Sequence, residues 1–266
     1  TGWLGQGPSA IGFQLTFFRS RTQHAIGSPS RLAPQQLLFA HAALAVAKQD
    51  VFLHANRAGR LSGTTLRAET HDTNLQFEDW YLRRVQRGAA NFYEGRFVGD
   101  GFGMTFEAST QQPVILRGQE GLSQKGPHAE QASFYYSRAP LRVNASLQLG
   151  TQTQLLEGKA WLDHEWSSQL LMQGAVGWDW LGINLLDGGT LMAFQIRNAK
   201  SEPLHAHVDA RDRQGLPVKG WSGLKWQKRG SWRSKSLIEY PIPMGLVVGN
   251  QSFHLVPLML AQEVDA

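Results

Sequence analysis

Short stretches of strand-like sequence, set apart by tight-turn residues, recur along nearly the whole chain, and this recurrence limits what it can fold into. Runs with alternating or β-rich composition cover residues 12–18, 74–83, 91–98, 103–108, 131–136, 141–149, 158–166, 178–185, 191–196, 204–209 and 252–256. Between them stand Gly99-Asp100-Gly101, Asp187-Gly188-Gly189, Arg213-Gln214-Gly215 and Gly249-Asn250, combinations that supply the positive backbone angles of hairpin turns. Strands at this spacing, with no long helical segments between them, predict an all-β protein of antiparallel sheets closed into barrels or sandwiches. One stretch resists the pattern. Residues 33–48 are dense in Ala, Leu and Gln and read equally as a helix or as a buried strand.

A chain of 266 residues is long for one small barrel and natural for two. The glycines and proline of residues 121–127 read as a linker and the polar residues 28–34 as a surface loop. The expected division is therefore residues 1–130 and 131–266. No internal repeat supports it.

Cysteine is absent, which removes disulfides, thiolate nucleophiles and cysteine metal sites. The formal charge of +5 is spread singly along the chain, so a nucleic-acid partner is not expected. The longest apolar stretch, residues 37–47, is broken by His41 and falls short of the ~20 residues of a membrane helix. There is no Gly-x-Ser-x-Gly elbow, no phosphate loop and no His-Glu-x-x-His helix. No cofactor is implied. Nine tryptophans and thirteen phenylalanines point instead to a site for an apolar small molecule.

Three segments carry candidate site residues. In Gly158-Lys159-Ala160-Trp161-Leu162-Asp163-His164-Glu165-Trp166, strand alternation places Trp161, Asp163 and Glu165 on one face and Leu162, His164 and Trp166 on the other. Charges and tryptophans mixed on both faces suit the wall of a polar-tipped cavity; equally, arginines could satisfy the two acids while the tryptophans fill a core. In Trp178-Asp179-Trp180 the two indoles share a face, and core filling is their first reading. In Tyr135-Tyr136 the hydroxyls point to opposite sides. His205, His207 and Asp209 share a strand face that could bind metal, although plain solvent exposure is the simpler reading and no metal site is assigned.

Taken in order, GFQLTFFRSR (12–21), FAHAAL (39–44), FYYSRAPL (134–141), GKAWLDHEWSS (158–168), GWDWLGINL (177–185) and LMAFQIR (191–197) resemble the AttH-like branch of the carotenoid 1,2-hydratase family, whose members include predicted secreted hydrolases. The resemblance implies two consecutive lipocalin-like barrels, a secreted or periplasmic bacterial protein, and further strands before Thr1 and after Ala266. For the hydratase branch it implies an aspartate that protonates an isoprenoid double bond before water is captured, and Asp163 is the matching position. On this reading Asp163, His164 and Glu165 form the catalytic group, with Trp161, Trp166, Trp178, Trp180, Tyr135 and Tyr136 around a long apolar substrate. The chemistry is coherent, since an acid among aromatic rings holds its proton and ring faces stabilise a cation. A second reading is a non-catalytic lipid or isoprenoid carrier of the cell envelope, associated with the membrane or an ABC exporter.

Overall fold

The structure is a computed structural model and describes residues 1–23, 26–30, 33–61, 63–168 and 172–264. The expected surface loop at 28–34 lies partly outside them. In chain order the strands are β1 (Gly2–Leu4), β2 (Ile11–Arg21), β3 (Gln36–Val46), β4 (Val51–Arg60), β5 (Leu66–Ala68), β6 (Asn74–Phe77), β7 (Trp80–Arg87), β8 (Ala90–Gly99) and β9 (Phe102–Ser109). They continue as β10 (Ile115–Leu116), β11 (Leu122–Gln124), β12 (Ala132–Leu149), β13 (Gln152–Trp166), β14 (Gly177–Asn184), β15 (Thr190–Arg197) and β16 (Pro203–Arg211). The last are β17 (Leu224–Lys228), β18 (Trp232–Arg233), β19 (Glu239–Tyr240), β20 (Met244–Val248) and β21 (Gln251–Leu255). Helix among the described residues is confined to two short 3-10 turns, Gly7–Ser9 and Ala47–Gln49, so the protein is all-β.

The chain forms two compact units. The first comprises Thr1–Thr110, Arg142–Ala160 and Leu258–Ala266, the second Gln111–Leu141 and Trp161–Pro257. The chain crosses between them after β9, within β12, within β13 and after β21, and residue 130 falls inside the first segment of the second unit.

In the first unit the antiparallel order is β4-β3-β2-β1-β13-β12-β9-β8-β7-β6-β5. The sheet curls until its ends meet: Arg57 on β4 donates to the Phe77 carbonyl on β6 at 3.0 Å, and Gly59 lies against Leu66 and Phe77. The inner face is apolar, with Leu4, Phe13, Leu38, Leu44, Trp80, Phe97, Met104 and Leu147 all buried. Gly95 faces Phe106 across the β8–β9 pair and lacks the Cβ that would collide with the phenyl ring. Ions stay outside, where Arg83, Arg87, Glu94 and Glu107 form a cross-strand ladder on β7, β8 and β9. Residues 36–46, open between helix and strand in the sequence, are strand. Eleven cross-strand positions with β2 and ten with β4 satisfy the backbone of β3, and this pairing outweighs its helical composition.

The second unit is layered. Strands β10 and β11 pair with the first half of β12, so the glycine-rich residues 121–127 contain a strand where a linker was expected. The sheet β14-β15-β16 offers one face to Tyr135, Ala139 and Trp161 through Met192, Phe194 and Ile196. Its other face supplies Leu191 and Ala210, which pack with Leu246 and Val248 of the β17-β20-β21 sheet.

Candidate active site

The site is built where alternation on β12 and β13 turns polar groups toward the β14-β15-β16 sheet. On β12, Ser133, Tyr135 and Ser137 are buried, while Phe134, Tyr136 and Arg138 lie on the opposite face. On β13 the same face carries the buried Trp161 and the exposed Asp163 and Glu165. Ser137 Oγ donates to Asp163 Oδ1 at 2.5 Å and Trp161 Nε1 to the same oxygen at 2.9 Å. Tyr135 stands on the same face, and Trp180 Nε1 donates to its oxygen at 3.1 Å. The Trp161 and Trp180 rings meet edge to face with centroids 6.0 Å apart. Gly182 makes this possible, because a Cβ there would strike the Trp161 indole.

A fully buried arginine stands behind the aspartate. Arg117 follows β10 and donates its backbone N–H to the Tyr135 carbonyl at 3.0 Å. Its Nε donates to Ser137 Oγ at 2.9 Å and its Nη1 to Asp209 Oδ2 at 2.9 Å, while its guanidinium lies over the Trp161 ring. Asp209 is held in turn by Arg211 Nε at 2.7 Å. A second polar group lies further along the same face of β13. Glu165 accepts from Ser133 Oγ at 2.5 Å and pairs with Lys125 at 2.8 Å, and the Lys125 ammonium rests 4.1 Å from the Phe194 ring centroid.

These contacts set the protonation of the site. Burial pushes the Asp163 carboxyl above its ordinary pKa, against hydrogen bonds from Ser137 and Trp161 and the Arg117 charge, which pull it down. The Tyr135 phenol is pushed far up, chiefly by burial and then by the negative charge of Asp163. It therefore acts as a hydrogen-bond donor and not as a phenolate. Asp163, His164 and Glu165 are all exposed, so the site is open where the wall of a polar-tipped cavity was expected. Asp163 is thus crowded by protein on its Ser137, Tyr135 and Trp161 side and reachable from outside.

A family model described as AttH-like matches residues 1–266. The chain belongs to the AttH-like family. The crystal structure of a protein described as AttH from Nitrosomonas europaea matches this AttH-like chain with a TM-score of 0.87 at 34% identity, covering 99% of this chain and 80% of the other. Kievitone hydratase from Nectria haematococca matches with a TM-score of 0.68 at 12% identity, over 86% of this chain and 70% of its own, a likeness of fold. The comparison with curated proteins finds no match.

Of the residues expected at the site of this AttH-like chain, the structure brings together Tyr135, Trp161, Asp163, Glu165 and Trp180. The others lie elsewhere. His164 is on the opposite face of β13, where its Nδ1 meets the Tyr136 hydroxyl at 2.9 Å, and burial lowers its pKa. Trp166 and Tyr136 share that face, and the exposed Trp166 stacks on Phe134 at 5.5 Å. Strand alternation separates these three from Asp163, so His164 has no geometric claim on the reacting centre. Trp178, expected to be buried, is 61% exposed. It lies two residues before Trp180, near the start of β14, outside the cluster that Tyr135 and Trp161 build. His205 and His207 flank the Phe194 ring at 5.8 and 5.7 Å and are partly buried, with burial lowering both pKa values. No group of three metal-ligating side chains is present among the described residues. Arg117, Ser137, Lys125 and Asp209 were missed in the sequence as members of this site, because only folding brings Ser137 to Asp163, Lys125 to Glu165, and Arg117 with Asp209 behind Ser137.

Proposed function

We propose that this AttH-like protein is a hydratase-type enzyme that uses Asp163 to protonate a double bond of an apolar substrate and then adds water. The observation that carries this reading is the placement of the Asp163 carboxyl: held by Ser137 and Trp161, set on the same strand face as Tyr135 and exposed to solvent, with the protein around it favouring the neutral form. A carboxylic acid so held can deliver its proton to an alkene carbon. The carbocation that forms meets the partly buried Trp180 indole, whose face attracts positive charge. Water then attacks the cation and gives up one proton, which returns to the Asp163 carboxylate, so the net change is addition of one water. Glu165, oriented by Ser133 and Lys125, is the neighbouring acceptor that can align that water. The name of the kievitone hydratase neighbour agrees in reaction class.

A serine hydrolase mechanism has less support. Ser137 and Ser133 both donate to carboxylates, and His164, read in the sequence beside Asp163, lies on the far face of β13. The direct test is incubation with prenylated and polyene lipids in deuterated water, read by mass spectrometry. The reading predicts product heavier by one water with one deuterium fixed on carbon. A lipid that binds tightly and is recovered unchanged would replace the enzyme with a carrier.

A further inference from the structure

The groups around Asp163 raise an electrostatic question that the proposed reaction alone does not answer. The Arg117 guanidinium is fully buried and separated from the Asp163 carboxyl by one hydroxyl, that of Ser137, at 2.9 Å on one side and 2.5 Å on the other. A full positive charge at that range, within ~4–6 Å of a carboxyl, ordinarily lowers its pKa by about 1–3 units and would strip the proton at neutral pH. An acid catalyst placed here needs that charge diverted.

Asp209 is placed to divert it. Its side chain is 9% exposed; one oxygen accepts from Arg117 Nη1 at 2.9 Å and from Arg211 Nη2 at 3.0 Å, and the other accepts from Arg211 Nε at 2.7 Å. We propose that Asp209 is a positioning residue that draws the charge of Arg117 away from Asp163, leaving the arginine to orient Ser137 while Asp163 keeps its proton. Arg211 shares the same carboxylate and so competes with Arg117 for its charge. The other charged groups facing this cluster are few. Lys125, beyond β11, is spent on Glu165 of β13, and Tyr135 of β12 stays protonated because of burial. His207 of β16 is pushed toward its neutral form by burial. From β14, Trp180 brings no charge.

The electrostatic claim stands on the geometry; its meaning for turnover rests on the proposed role of Asp163. The test is therefore a titration of the Asp163 carboxyl in the full chain by difference infrared spectroscopy, with Asp163→Asn identifying its band. Asp209→Asn is expected to lower the Asp163 midpoint by about 1 unit or more, and Arg117→Gln to raise it. Turnover in Asp209→Asn should fall at neutral pH and recover at more acid pH, whereas a merely structural role would lower it at every pH. An unchanged or raised midpoint in Asp209→Asn overturns the proposal. Where that variant does not fold, Arg211→Gln decides: removing this cation leaves Asp209 entirely to Arg117 and must raise the midpoint, and a fall overturns the proposal. The expected midpoint shifts in a protein that turns nothing over would retain the charge network and remove the hydratase reading.

Discussion

The two units bury different chemistry. Of the buried polar or charged residues among the described ones, Thr73 belongs to the first unit, whereas Arg117, Ser123, Ser133, Ser137, Thr190 and Ser234 belong to the second. The first unit packs phenyl and aliphatic side chains inward and keeps Arg83, Arg87, Glu94 and Glu107 on its outer surface. The second places an arginine at zero exposure beside an aspartate of raised pKa. Burying ionisable groups costs stability unless each is paired, and apolar replacements of similar volume serve packing as well or better. The first unit shows that this sequence can build an apolar core; the polar interior of the second is the feature on which the proposed function rests.

The largest effect expected from this contrast is on the stability of the first unit. Phe97→Ala removes a fully buried ring packed on Trp80 and Phe102 and should cost about 3–5 kcal/mol in urea unfolding. Folded Phe97→Ala protein should keep its turnover per molecule, and a specific loss of catalysis there would break the division of labour. In the second unit, Ser137→Ala deletes the hydroxyl between Arg117 and Asp163 and should cost about 1–3 kcal/mol by leaving Arg117 Nε unpaired, together with a clear loss of turnover. Equal stability loss with full turnover would make the cluster a core feature only.

The pH dependence sharpens the contrast further. A carboxyl whose folded pKa is raised binds its proton more tightly in the native state than in the unfolded chain. Its contribution to stability is therefore greatest below the unfolded pKa of about 3.9 and is lost as the pH rises through the folded value. Asp163→Asn lacks this dependence, so its stability relative to wild type should improve between pH 4 and neutrality in paired urea titrations. A difference that stays flat with pH would mean that Asp163 is not held in its neutral form. The smallest effects belong to the outer face of β13: His164→Ala and Trp166→Ala should each change stability by no more than about 0.5 kcal/mol and leave turnover unaltered.

The sequence showed the site along its strands but not across them. Alternation alone put Trp161, Asp163 and Glu165 on one face, His164 and Trp166 on the other, and Tyr135 opposite Tyr136, as the structure has them. What alternation does not give is which face is functional, and His164 was grouped with Asp163 because the two are adjacent in sequence. Arg117 and Asp209 are 92 residues apart, and their pairing depends on where β10 and β16 lie in the folded unit. The same limit explains residues 36–46, whose composition suits a helix until strands from either side pair with them. Trp178 and Trp180 read alike in the sequence. Only the position of Tyr135 and Trp161 along β14 separates a half-buried indole from an exposed one.

The central claim is that Asp163 is an acid kept for chemistry and not for structure. Asp163→Asn measured for both thermal midpoint and hydration of a prenyl or polyene substrate tests it most directly. The account predicts a midpoint equal to or above that of wild type near neutral pH, with turnover lower by ~10²-fold or more, as loss of a positioned proton donor implies. A variant that melts well below wild type and still turns substrate over would contradict it.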